Sequence, residues 1–212
     1  MWTVITEALD LLTAAGAAVS DASRDAPTPC AEWNVTQVLQ HAAADQLAWA
    51  AALGTGTGPS YNPFEPSGRL SGSVAELLAP AVTAAGAAWT AVAPGAGPVP
   101  TPLPQGALPA ATAAAACALD AAVHAWDVAA ALGLPPVLTP RLAGQLLPAA
   151  RAVVEPLRQY GAYAPALAPE AGDDALAELL RYLGRDPAWR RPAEFGSAAR
   201  RGQSAGTAGE SD

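Results

Sequence analysis

Lysine is absent from the 212 residues: all eleven basic side chains are arginine. That excludes lysine Schiff-base chemistry and attachment of pyridoxal phosphate. The net charge is −8 and no basic stripe runs along the chain, so nucleic acid is not an expected partner. Aromatic residues make up only 6% of the sequence, so a core must be built from Ala, Leu and Val. Ala- and Leu-rich segments with few β-branched runs predict helices and no sheet. The two cysteines, Cys30 and Cys117, fall in different predicted elements and mark no disulfide framework. Glu7 and Asp10 stand where a signal peptide would be basic, and no apolar stretch of spanning length free of Pro and Gly is read. The expected place is the cytoplasm, with no membrane partner. With two histidines in all and no GxSxG elbow, serine and cysteine triads are excluded as well.

What is present is helical punctuation. Val4, Ala8, Leu11, Leu12, Ala15 and Val19 keep the spacing of one helical face, predicting a first helix over about 3–20. After Pro27 and Pro29, Asn34 with Gln37 forms a capping box that opens a second helix, which runs to about Leu53 before Gly54. Residues 54–72 read as a long loop, and its Gly54-Thr-Gly56-Thr-Gly58 run lacks the lysine and following helix of a phosphate site. Ser73 and Glu76 cap a third helix ending near Ala93, with Pro80 inside it. Five prolines and three glycines in 94–108 predict a stiff, extended connection. A fourth helix spans about Pro109 to Leu132, with Gly133 just past its end. Thr139 and Pro140 open a fifth containing Pro148, and a last one spans about Asp174 to Leu183 before Gly184. The expected organisation is one all-α, antiparallel bundle over 1–190 and a poorly ordered Gly-, Ser-, Ala- and Arg-rich tail over 191–212. Loops as long as 54–72 and 94–108 are uncommon unless functional or flexible, and one of them can cover the mouth of a site.

The two histidines carry the chemistry. His41 shares a stripe of the second helix with Val38, Asp45 and Trp49. His124 shares one of the fourth helix with Cys117, Asp120, Asp127 and Ala131. Asp120 and His124 are one turn apart on one face, the spacing at which two side chains of one helix hold a single ion. His41 is the other available imidazole. Two imidazoles and a carboxylate suit Zn, Ni or Fe(II), and three protein ligands leave positions open for water or a thiol. Buried histidines commonly just find hydrogen-bond partners, and Asp120–His124 can be a helix-surface pair. Against that, an inward carboxylate needs a counter-charge, and a metal supplies one. Asp45, a turn from His41, is the candidate general acid/base or fourth ligand, with a solvated or Arg-paired acid as the alternative. Asp127 is read as a residue that fixes the His124 ring or lies on the helix surface. Cys117 reads as a buried small hydrophobe and Cys30 as packing. Tyr160, Tyr163 and the tryptophans read as core or turn residues, and Arg151 and Arg158 as solvated arginines rather than anchors for an anion.

Three motifs resemble one family. Thr28-Pro-Cys-Ala-Glu-Trp-Asn-Val with Leu39-Gln-His41, then Asp120-Ala-Ala-Val-His124-Ala-Trp-Asp127, then Leu183-Gly-Arg-Asp-Pro-Ala-Trp189 look like the DinB-like metal-binding proteins. The branch is that of the N-terminal domain of mycothiol-dependent maleylpyruvate isomerase, and the likeness covers about residues 1–190. It implies a four-helix bundle with long crossover loops, here with additional short C-terminal helices. It also implies a divalent metal, usually zinc, on His41, Asp120 and His124, and mycothiol or bacillithiol as a thiol cosubstrate. Asp120 stands where Glu is more frequent, and Asp45 is an acid where a small residue is common. The isomerase's second domain finds no room in 212 residues, so maleylpyruvate isomerisation is not expected. The expected function is a metal-dependent S-transferase acting on a small-molecule substrate with a mycothiol-type thiol. The alternatives are a metal-hydroxide hydrolase, a non-haem iron enzyme and a non-catalytic metal-binding protein, and a homodimer stays open.

Overall fold

A computed structural model describes residues 2–193 and residue 195. The helices are α1 Thr3–Ala17, α2 Val35–Ala52, α3 Val74–Ala91, α4 Ala110–Leu132, α5 Pro140–Arg158 and α6 Ala175–Tyr182. Most of the expected tail lies outside the described residues.

The helices begin where capping chemistry says they should. Asn34 Oδ1 accepts from Gln37 N at 2.9 Å while Gln37 Oε1 accepts from Asn34 N at 3.1 Å. Ser73 and Glu76 repeat the box on α3, and Thr139 and Asp174 cap α5 and α6. Gly133 ends α4 at φ 70°, the left-handed conformation that a residue without Cβ adopts cheaply.

The first four helices close a ring in which α1 packs on α3 and α4, and α2 on the same two. α5 lies against α4 from outside the ring and α6 against α5. α4 is therefore covered on nearly every side, which explains its all-round Ala, Leu and Val surface. Small side chains allow the close approach: a Cβ on Gly16 of α1 would stand 2.4 Å from Leu78 Cδ1 of α3.

The structure corrects several expectations. α1 ends at Ala17, and a short 3₁₀ turn over Asp21–Ser23, closed by reciprocal Ser20–Ser23 hydrogen bonds, follows it. The buried stripe of α1 is Ile5, Ala8, Leu9, Leu12, Ala15 and Gly16, rotated from the expected one because α3 and α4 flank it on two sides. Residues 98–109 are not merely extended: β1 Pro98–Val99 pairs antiparallel with β2 Leu108–Pro109. α5, with 19 residues, is not a short addition, and it continues through Pro148 and Pro156. Both α3 and α4 are long and apolar enough to cross a membrane, and α4 contains neither Pro nor Gly. For α4 the apolarity is accounted for by its central place, and three charged or ionisable residues interrupt it.

Candidate metal centre

α2 and α4 lie side by side, and this brings His41 against Asp120 and His124. One donor atom from each of the three lies within 4.8 Å of the others. Asp120 Oδ1 is 3.5 Å from His41 Nε2 and 3.3 Å from His124 Nε2. Those separations exceed the roughly 2.7–2.9 Å of a charge-assisted hydrogen bond. They match the spacing of ligand atoms that each stand about 2.0–2.2 Å from one tetrahedral ion, which is roughly 3.3–3.5 Å.

The far side of each ring sets its orientation. His41 Nδ1 donates to the Pro63 carbonyl at 2.9 Å, and His124 Nδ1 donates to Asp127 Oδ2 at 3.0 Å. Neither partner can donate, so both imidazoles carry a proton on Nδ1 and present Nε2 to Asp120, where a metal would take the place of any second proton. The residues therefore fit a divalent metal.

Pro63 reaches His41 because α2 holds the loop over 54–72 to its surface. Tyr61 Oη donates to the Gln40 carbonyl at 2.6 Å, Gln40 Nε2 to Arg69 O at 2.8 Å, and Gln37 Nε2 to Pro66 O at 3.2 Å. The same loop sets Phe64, 55% exposed, with its ring centroid 5.5 Å from that of His41, while Trp33 covers the ring from another side at 4.7 Å.

Two residues that sequence reasoning did not single out complete the cluster. Arg185 grips Asp127 with two hydrogen bonds, Nε to Oδ1 at 2.9 Å and Nη2 to Oδ2 at 2.8 Å. Gln46, fully buried, donates to Asp120 Oδ2 at 3.4 Å and to the Cys117 carbonyl at 3.3 Å, so Oδ1 is the oxygen left facing the histidines. Arg185 had a local signal. Gly184 takes φ 79° at the end of α6, and the turn sends the next side chain back toward α4. Gln46 had none.

Charge is organised around this cluster. Burial opposes the Asp120 carboxylate, yet His124 and then His41 outweigh it and hold the carboxyl well below the ordinary range. Burial likewise opposes ionisation of Asp127, and Arg185 overrides it. In His124 burial lowers the proton affinity, and Asp120 followed by Asp127 raises it to about 9. Asp45 is not in the triad. Its Oδ2 accepts from Trp49 Nε1 at 3.0 Å, and burial together with the Asp120 charge pushes it up to about 7.

A cavity of about 570 Å³ opens onto the cluster, with Asp45, Trp33, Phe64, Leu103, Tyr160 and Tyr163 among its walls. Tyr160 stands in a turn, as expected, and both tyrosines also line the cavity. Leu103 arrives from the proline-rich connection, which Gln105 ties to Val153 O at 2.9 Å. Burial and then Asp127 push the Cys30 thiol up to about 12, which leaves it protonated and unreactive. Cys117 is buried in the core. Arg151 pairs with Glu178 at 2.6 Å. Arg158 is not simply solvated, since it donates to the carbonyls of Tyr182 and Ala164.

Fold and site together define a helical bundle whose buried His–Asp–His group can hold a metal ion. The chain belongs to the mycothiol maleylpyruvate isomerase N-terminal domain family, which matches residues 5–129. The family ties it to mycothiol-related enzymes. Two uncharacterized proteins of Mycobacterium tuberculosis, from different strains, are each 37% identical to it over 133 residues. That match covers 61% of this chain and 66% of each relative, a little under two thirds of their length. No solved structure matches the chain. The third motif, Leu183–Trp189, lies beyond the family match.

Proposed function

We propose that this protein is a metal-dependent S-transferase that joins a low-molecular-weight thiol of the mycothiol type to an electrophilic small molecule. The observation that carries the reading is the pair of histidines whose Nδ1 atoms are both engaged, so that both Nε2 atoms face Asp120 Oδ1 at the floor of a cavity. A divalent ion there, zinc before nickel or iron(II), would supply the Lewis acidity that makes a thiol available as thiolate near neutral pH. His41, Asp120 and His124 would hold it.

The remaining work falls to the chain. Pro63 O and Asp127 keep the two rings from turning. Asp45, on the same cavity wall, takes the proton of the incoming thiol. The sulfur forms a bond to the electrophilic carbon, the leaving group departs with the bonding pair, and Asp45 returns the proton to it. The cavity beside the cluster favours an enzyme over a metal-binding module without catalysis. Two unpaired cysteines suit a reducing compartment, and we place the protein in the cytoplasm.

The test is metal content of the purified protein and of the variants His41→Ala, Asp120→Ala and His124→Ala. Cobalt-substituted protein is then titrated with mycothiol while its visible spectrum is followed. The reading expects near-stoichiometric metal, lost in all three variants, and a sulfur-to-cobalt charge-transfer band that saturates. A wild type that stays folded and metal-free sinks the mechanism. Turnover without any thiol would move it to a hydrolase or an iron enzyme.

A further inference from the structure

The charges lining the cavity speak to what enters it. Among the described residues, Arg185 is the one arginine in the walls. Its charge is already matched: two of its five N–H donors are spent on Asp127, which is itself fully buried, and a third points at Leu183 O, 3.5 Å away. The neighbouring arginines are also committed, Arg151 to Glu178 and Arg158 to two carbonyls. The other charged groups in the walls are the acids Glu32, Asp45 and Asp120 and, without a metal, the His124 imidazole, which is already held between Asp120 and Asp127. With a divalent ion in place, its two charges and that of Arg185 meet four carboxylates, Asp127 included. If Asp45 is protonated the account balances, and a thiolate cosubstrate tips it negative again. Trp33, Trp49, Phe64, Leu103 and Leu119 supply aromatic and aliphatic wall, beside the polar groups of Cys30, His41, Tyr160 and Tyr163.

We infer that this cavity takes an uncharged acceptor and turns anions away. The word acceptor rests on the S-transferase reading; the charge preference does not. An anion entering the cavity gives up water and finds no free cationic side chain to replace it, while acids on the wall repel it. A neutral aromatic or alkyl electrophile loses little hydration and gains contact with the ring-lined walls. The acceptor of such an enzyme is then supplied by a reaction that leaves a neutral electrophile, rather than by one that leaves a carboxylate or phosphate next to the reactive carbon.

The experiment uses three probes of one size: benzamide, benzoate and benzylammonium. Their binding to the full-length, metal-free protein is measured by ligand-observed NMR and repeated on zinc-loaded protein. Benzoate is expected to bind at least about tenfold more weakly than benzamide in the metal-free form, with the gap narrowing as salt is raised. The double variant Glu32→Gln/Asp45→Asn should close much of that gap, and its circular dichroism reports whether it is folded. Val153→Trp, which fills the cavity, should abolish benzamide binding and so locates it. Benzoate binding to metal-free protein as tightly as benzamide overturns the inference, and so does a benzamide that fails to bind at its solubility limit. Because the decisive comparison needs neither metal nor thiol, failure of the S-transferase reading would show separately, as missing metal or a missing thiol band.

Discussion

Replacing Arg185 with methionine leaves Asp127 buried without its guanidinium partner. The two hydrogen bonds lost are short, at 2.9 and 2.8 Å, and both join ionised groups. Bonds to charged groups contribute about 1.5–3 kcal/mol each, so about 3–6 kcal/mol is at stake. An independent route gives a similar figure, since stranding one member of a buried ion pair costs about 3–5 kcal/mol. Arg185→Met should therefore lower the unfolding free energy by about 3–5 kcal/mol, a large part of an ordinary domain's stability. Adding Asp127→Asn removes the stranded charge but keeps an acceptor for His124 Nδ1, so the double variant should recover part of the loss. Urea denaturation of the wild type, both single variants and the double variant in metal-free form gives the coupling directly. Metal affinity should fall about 10–100-fold in Arg185→Met, because Asp127 is what orients His124. A destabilisation below about 1 kcal/mol, or additive single effects, would refute the idea that the pair is a buried, mutually dependent unit.

Other consequences are simpler to read. Gly184→Ala should cost at least about 2 kcal/mol in thermal or urea unfolding, because φ is 79° there and a Cβ would meet the carbonyl oxygens of Ala164 and Pro165 at 2.8 Å. The same change should weaken metal binding, since the turn aims Arg185. Asn34→Ala removes the side-chain half of the α2 capping box, the Oδ1 that accepts from Gln37 N, and should cost about 1 kcal/mol, with Asn34→Asp largely restoring it. In metal-free protein His124 is raised from 6.5 to about 9, so its protonation stabilises the fold fully below pH 6.5 and the benefit is lost as pH rises through 9. The melting temperature of the metal-free form should fall over that window. Zinc-loaded protein, with the imidazole already deprotonated, should show no such fall, and a flat metal-free profile would contradict the charge arrangement around His124.

Sequence alone determined what is settled within a few residues along the chain. The caps at Asn34, Ser73, Thr139 and Asp174 and the left-handed Gly133 are local hydrogen-bond and backbone problems, and they fix most of the helix boundaries. The i, i+4 placing of Asp120 and His124 is likewise a property of one helix, and the scarcity of histidine left His41 as the imidazole to join them. What only the tertiary structure decided is which distant groups meet. Arg185 reaches Asp127 across 58 residues, Gln46 reaches Asp120 across 74, and the carbonyl of Pro63, 22 positions on from His41, becomes its partner because the loop after α2 is pinned back onto that helix. The two-residue strands around the proline-rich connection pair through backbone groups, which no side-chain period announces. A backbone carbonyl or an arginine looks the same in sequence whether it faces water or a buried carboxylate. Its role exists only once the helices have closed around α4 and excluded the water that would otherwise have been its partner.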